Sequence, residues 1–153
     1  MKVYKLTKPQ DYKGLFAESL VTDPAIQSNL MFFYVEKTDF IFQDDEQRII
    51  YAPALIPNKL IFRKDIQGEP ANVYFDAETI KDLLIDFNRK GEKPVINLNH
   101  SKEPVDGVFI FETWIVDDKE ADKSFKMGFD VPVGTMMRGY KIDNESVWQD
   151  IKS

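Results

Sequence analysis

Cysteine is absent from the 153 residues and histidine occurs once. Without a thiol there is no disulfide and no thiolate metal ligand, a pattern that fits a reducing compartment. Acid–base chemistry that relies on an imidazole near neutral pH has a single candidate, His100. Positive charge is also short: 20 Lys and Arg face 26 Asp and Glu, leaving a net charge of -6. A surface of that sign, with no long Lys/Arg run, argues against nucleic acid as a partner. No apolar stretch is long enough for a signal peptide or a bilayer span, so a soluble intracellular protein without a membrane partner is expected. Aromatic residues are plentiful, with 12 Phe, 6 Tyr and 2 Trp. These large side chains can supply one core, and a single domain over residues 1–153 is expected.

Short β-type runs punctuated by turns dominate the chain. Strands are expected at residues 2–6, 14–21, 29–35, 40–42, 48–57, 60–63, 72–75, 93–100, 108–116, 125–131 and 135–142. Pro53 and Pro57 should interrupt or bend the 48–57 strand, because proline withholds a ladder donor. Asp44-Asp45-Glu46 reads as a solvated acidic turn, since three adjacent carboxylates lack the spacing of a cation cage. The one clear helix covers residues 76–90. Asp76 is placed to cap it, Ile80, Leu83, Leu84 and Phe87 form its apolar stripe, and Gly91 ends it. A second helix, over 145–152, should start from Asn144. This order of elements suggests a β-rich α+β domain, a closed or partly closed small β-barrel flanked by helices.

Two positions interrupt the apolar patterning in a way that bears on chemistry. In the 93–100 strand, Ile96, Leu98 and His100 share one face, so an imidazole ends an apolar row. A lone histidine at a strand end is more often a hydrogen-bonded structural residue than a catalytic one. In the 108–116 strand, which reads as buried on both faces, Glu112 is expected beside Val108, Ile110 and Trp114. A carboxylate there must find a partner, either in a structural ion pair or as the group that orients a catalytic imidazole.

Several segments, taken together and in order, resemble the XkdF-like serine proteases of tailed phages and prophages that mature the prohead. They begin with Phe16-Ala17-Glu18-Ser19-Leu20-Val21-Thr22-Asp23-Pro24-Ala25 and Ala52-Pro53-Ala54-Leu55-Ile56-Pro57. Next come Val73-Tyr74-Phe75-Asp76-Ala77-Glu78-Thr79-Ile80 and Asn97-Leu98-Asn99-His100. Gly107-Val108-Phe109-Ile110-Phe111-Glu112-Thr113-Trp114-Ile115-Val116 follows, and then Val131-Pro132-Val133-Gly134-Thr135-Met136, running on through Val147-Trp148-Gln149-Asp150-Ile151-Lys152. The set spans nearly the whole chain.

The resemblance implies a fold like the herpesvirus capsid-maturation protease and a serine endopeptidase whose histidine precedes its nucleophile. His100 stands at the family's histidine, and Glu112 is the candidate orienting carboxylate. The family's serine lies in a Gly-Phe-Ser type motif a short way past the stretch matched by Trp148-Gln149-Asp150-Ile151-Lys152. The sequence ends at Ser153, so the nucleophile strand is expected to be missing, and neither Ser153 nor Ser101 fits the role. Implied substrates and partners are phage scaffold and capsid proteins, with self-association where the missing strand would leave an unpaired edge. The implied location is the host cytoplasm, within the assembling prohead, with no cofactor and no metal. A non-catalytic capsid or scaffold component that keeps the barrel is the alternative. A generic ligand-binding barrel would rest on fold analogy alone.

Overall fold

A computed structural model describes residues 1–7, 17–20, 33–35, 42–64, 67–91, 95–98 and 104–152, with the backbone alone at 17–20, 33–35, 42–43, 95 and 97–98. In chain order the strands are β1 (Lys2–Lys5), β2 (Ala17–Leu20), β3 (Phe33–Val35), β4 (Phe42–Asp44), β5 (Ile49–Leu55), β6 (Ile61–Lys64) and β7 (Pro70–Tyr74). Helix α1 (Ala77–Lys90) comes next, followed by β8 (Val95–Leu98), β9 (Val108–Ile115), α2 (Lys123–Lys126), β10 (Met136–Ile142) and α3 (Glu145–Lys152). The fold is mixed α+β and rich in strand. Its strands form three sheets in the orders β1-β7-β6, β4-β5-β10-β9 and β3-β2-β8. The expected strand boundaries at 14–16, 29–32, 40–41, 93–94 and 99–100, and the turns at 22–24 and 36–39, lie outside the described residues.

The four-stranded antiparallel sheet organises the molecule. Its inner strand β10 pairs with β5 on one side and β9 on the other. Alternation along β5 and β10 sends Ile50, Ala52, Tyr140 and Ile142 to one face, where Val147 and Trp148 of α3 pack on them together with Ile96 of β8. Further along the same face, Ala54, Leu55 and Met136 receive Ile80, Leu83 and Phe87 of α1. The buried guanidinium of Arg138 lies 5.6 Å from the Phe87 ring centroid, so the charged group stacks on the helix. The opposite face carries Tyr51, Met137 and Trp114, covered in part by Val116, Phe129 and Val131.

Local chemistry sets the helix ends where the sequence places them. Asp76 is extended and its carboxylate accepts from the Thr79 N–H, while Gly91 takes the left-handed conformation at φ 64° that ends the helix. Lys5 of the edge strand β1 pairs with Asp76. That ammonium, with the Thr79 contacts, holds the Asp76 carboxyl well below the usual carboxylate range. At α3, Asn144 Oδ1 accepts from the Val147 N–H, and its Nδ2 donates to the Asp106 carbonyl at 3.0 Å. This cap therefore fastens α3 to the turn before β9. Gly107 lies in that turn at φ 74°, and a Cβ there would sit 3.1 Å from the Asn144 nitrogen.

Pro53 behaves as its chemistry requires. The ladder between β5 and β10 shifts register between Met136 and Met137, opposite the stretch from Pro53 to Leu55. The described pairing with β4 ends at Tyr51, so the missing donor of Pro53 falls outside it.

Among the described residues the three sheets are open, each with two terminal strands, and β1-β7 and β3-β2-β8 pair in parallel. Two expectations change. Strand β9 is not buried on both faces, since Phe109 and Phe111 are 47% and 45% exposed. It is the terminal strand of its sheet, and the apolar run reflects its length of pairing with β10 rather than cover on both sides. Residues 125–131 do not resume a strand. Asp122 accepts from the Ser124 N–H and starts the one-turn α2, and Gly128 at φ 93° leads out of it. Among the described residues, no helix is long and apolar enough to cross a membrane.

The stripe of α1 is graded. Ile80 and Leu83 are sealed while Leu84 is only partly buried against the same cluster. Leu83→Ala should cost about 2–5 kcal/mol, the range for a fully buried leucine, and Leu84→Ala distinctly less. Denaturant midpoints of the two variants measure the order, and a larger loss at Leu84 would reverse the orientation of the helix.

Candidate functional site

His100 lies outside the described residues, so the structure describes the frame around it. Strand β8 pairs in parallel with β2, the middle strand of its sheet, with Leu98 opposite Leu20. Ile96 anchors β8 in the core beneath α3. The Val105 N–H donates to the Ile96 carbonyl at 2.8 Å. Ile96 and Val105, described residues on either side of His100 in the sequence, are thus joined directly.

Glu112 is described, and its surroundings differ from the sequence expectation. The register of β9 on β10 slips between Gly139 and Tyr140: Glu112 stands opposite Gly139, and Ile110 opposite Tyr140. Phe111 is the extra residue, a β-bulge that reverses the parity of everything before it. Val108 and Ile110 therefore join the core under α3, whereas Glu112 and Trp114 share the other face with Tyr51. Sequence alternation alone could not reveal this inversion, because one inserted residue exchanges the faces.

On that face Glu112 is ion-paired with Lys123 of α2. The same ammonium lies over the Trp114 ring, 3.9 Å from its centroid. The Trp114 indole N–H donates to Asp122 Oδ1 at 3.1 Å, which fixes the ring plane against the start of α2. Tyr51 meets Trp114 and Phe111 edge-on, each at 6.0 Å between ring centroids. These rings crowd over Gly139, where a Cβ would fall 2.7 Å from Phe111 and 2.9 Å from Tyr51. Glycine at this rung is what lets the aromatic side chains close over the strand.

The electrostatics follow from the same contacts. Burial first, and then the Glu112 carboxylate and Asp44, push the Tyr51 phenol above its ordinary value. Burial works against ionisation of Asp122, but hydrogen bonds from Ser124 and the Trp114 indole outweigh it and hold the carboxyl below its usual range. Tyr51, Trp114, Asp122 and Lys123 were not singled out by the sequence. Residues 117–124 read as a solvated charged loop, and nothing in that run signals that it folds back onto a carboxylate eleven positions earlier. No group of three or more His, Cys, Asp or Glu among the described residues is arranged to hold a metal ion.

The chain matches no family model, no curated protein and no solved structure.

The phenol of Tyr51 provides a pH test of this geometry. Its raised pKa means that its contribution to stability is complete below the ordinary tyrosine value, about 10, and fades as pH rises beyond that. Glu112→Gln should bring the Tyr51 midpoint part of the way back, leaving the share due to burial. Site-resolved NMR titration of the ring measures it, and an unchanged midpoint would show that Glu112 does not act on Tyr51.

Proposed function

We propose that this chain is a protease-type domain of prohead maturation, in which His100 serves as the general base of a serine endopeptidase acting on phage scaffold and capsid proteins. The carrying observation is the ordered set of segments that resemble the prohead proteases, with the chain's one imidazole at the family's histidine. Two structural features support it. The fold is strand-rich α+β with α1 and α3 laid on one face of the main sheet, as a small sheet structure flanked by helices requires. Val105 and Ile96, which flank His100 in the sequence, are also hydrogen-bonded to each other, an anchoring that suits a residue that must be held in position.

In this reading a serine supplied in a Gly-Phe-Ser type motif attacks the scissile carbonyl. His100 takes the hydroxyl proton and returns it to the leaving amine, and backbone N–H groups receive the oxyanion. The barrel of the herpesvirus capsid-maturation protease belongs to the same proposal, with β5, β10 and β9 as part of its wall. The site of action would be the assembling prohead in the host cytoplasm, with self-association among its contacts.

One observation favours the alternative, a non-catalytic capsid or scaffold component. Glu112, the candidate orienting carboxylate, is engaged by Lys123 on the sheet face opposite the core that holds Ile96.

The 153 residues contain no Gly-Phe-Ser motif. A fluorophosphonate probe should therefore leave them unlabelled, and should label a version extended by a segment carrying that motif. His100→Ala in the extended version should abolish labelling and scaffold cleavage while the far-ultraviolet spectrum is unchanged. Labelling that survives His100→Ala in a folded protein would overturn the catalytic role. An extended version that folds but neither labels nor cleaves would favour the assembly role.

A further inference from the structure

The face of the main sheet opposite α1 and α3 carries a small site that an internal cation already fills. Its parts are the Glu112 carboxylate, which pairs with the Lys123 ammonium, and the Trp114 ring, over which that ammonium lies at 3.9 Å. An aromatic face beside a carboxylate is the arrangement that recognises organic cations, because the ring quadrupole and the anion act on one charge. Tyr51 props the Trp114 ring edge-on, and the indole N–H to Asp122 sets its plane. The recognition surface is thus built on the sheet, with Asp122 at the start of α2 fixing the ring plane and no part of it formed by the Lys123 side chain. Phe111, nearly half exposed, stands beside Tyr51 at its rim.

The lysine itself is held differently. It belongs to α2, a helix of four residues, too short to be stable without tertiary support. The side chains of Lys123 and Glu112 are 40% and 33% exposed, and an ion pair so open to water contributes little. Phe125 of the same helix turns outward, 55% exposed.

We propose that Glu112 and Trp114, backed by Tyr51, form a binding site for alkylammonium groups, and that Lys123 is a displaceable plug in it. The ligand is either a free amine or a lysine side chain of a partner protein; both present the same head group. Self-occupation lowers the apparent affinity of the intact protein by the fraction of time the lysine is out. The proposal stands apart from the protease reading, as no step of it uses His100.

The test follows the Trp114 indole N–H by NMR, resolved from that of Trp148, which α3 buries against the opposite face of the main sheet. Butylammonium chloride is titrated against matched sodium chloride, in the wild type and in Lys123→Ala. The variant should show a saturable shift and bind about two- to sixfold more tightly than the wild type. The shift should vanish in Lys123→Ala combined with Glu112→Gln, and with neutral 1-pentanol as probe. N-acetyl-lysine methylamide compared with butylammonium identifies the source: tighter binding of the amide points to a protein lysine, equal or weaker binding to a free amine. Lys123→Ser carries the same test if the alanine variant loses its folded amide spectrum. Absence of a saturable shift in a folded Lys123 variant overturns the site, as does one that persists without Glu112. Equal affinity in wild type and variant overturns the plug.

Discussion

Strand β10 has to be covered on both faces and both edges at once, and most of the structure is the means of doing so. Met136, Met137, Tyr140 and Ile142 are wholly inaccessible and Arg138 nearly so. Its two edges are taken by β5 and β9, which satisfy its backbone groups. One face demands two helices because the apolar rows are long. Met136 lies under α1 and Tyr140 with Ile142 under α3. The other face is narrower, and the chain between β9 and β10 doubles back over Met137 with Phe129 and Val131. Gly139 is where this arrangement is tightest, since Tyr51 and Phe111 occupy the space a side chain would need.

The parts legible in the sequence are those determined by neighbours a few residues apart. The cap at Asp76, the stripe of Ile80, Leu83 and Phe87, and the stop at Gly91 follow from spacing along one helix. The cap of Asn144 and the bend near Pro53 are of the same kind. What the sequence could not show depends on contacts between distant segments. Phe109 and Phe111 look like core because they sit in an apolar run, yet exposure depends on what covers the strand. The helix at Lys123–Lys126 begins at an aspartate that a charged loop would also contain. Closure of the strands into a barrel is a property of pairing, and pairing follows from register rather than composition.

The bulge at Phe111 has the widest consequence. It lets β9 present Val108 and Ile110 to the core under α3, and then Glu112 and Trp114 to the opposite face, without breaking the ladder. Had the strand kept strict alternation, Glu112 would have pointed with Ile110 into that core. A carboxylate there needs a buried partner or protonation, each of which costs stability. The extra residue avoids the conflict and puts the carboxylate where a lysine from the following loop can reach it.

That placement puts Glu112 on the sheet face opposite the core that holds Ile96, the buried residue of the strand before His100. Ile96 and Val105 belong to the α3 side of the main sheet, whereas Glu112 lies on the other face, where Lys123 of α2 pairs with it. For Glu112 to orient an imidazole it would have to exchange Lys123 for His100. Leaving a half-exposed lysine to solvent is a small cost, so energy alone does not forbid the exchange. A general base can also work without a dedicated carboxylate, its tautomer held by a backbone carbonyl, so the catalytic reading of His100 does not depend on Glu112. The proposed histidine chemistry and the proposed cation site are therefore independent: the first needs no carboxylate from β9, and the second needs no imidazole.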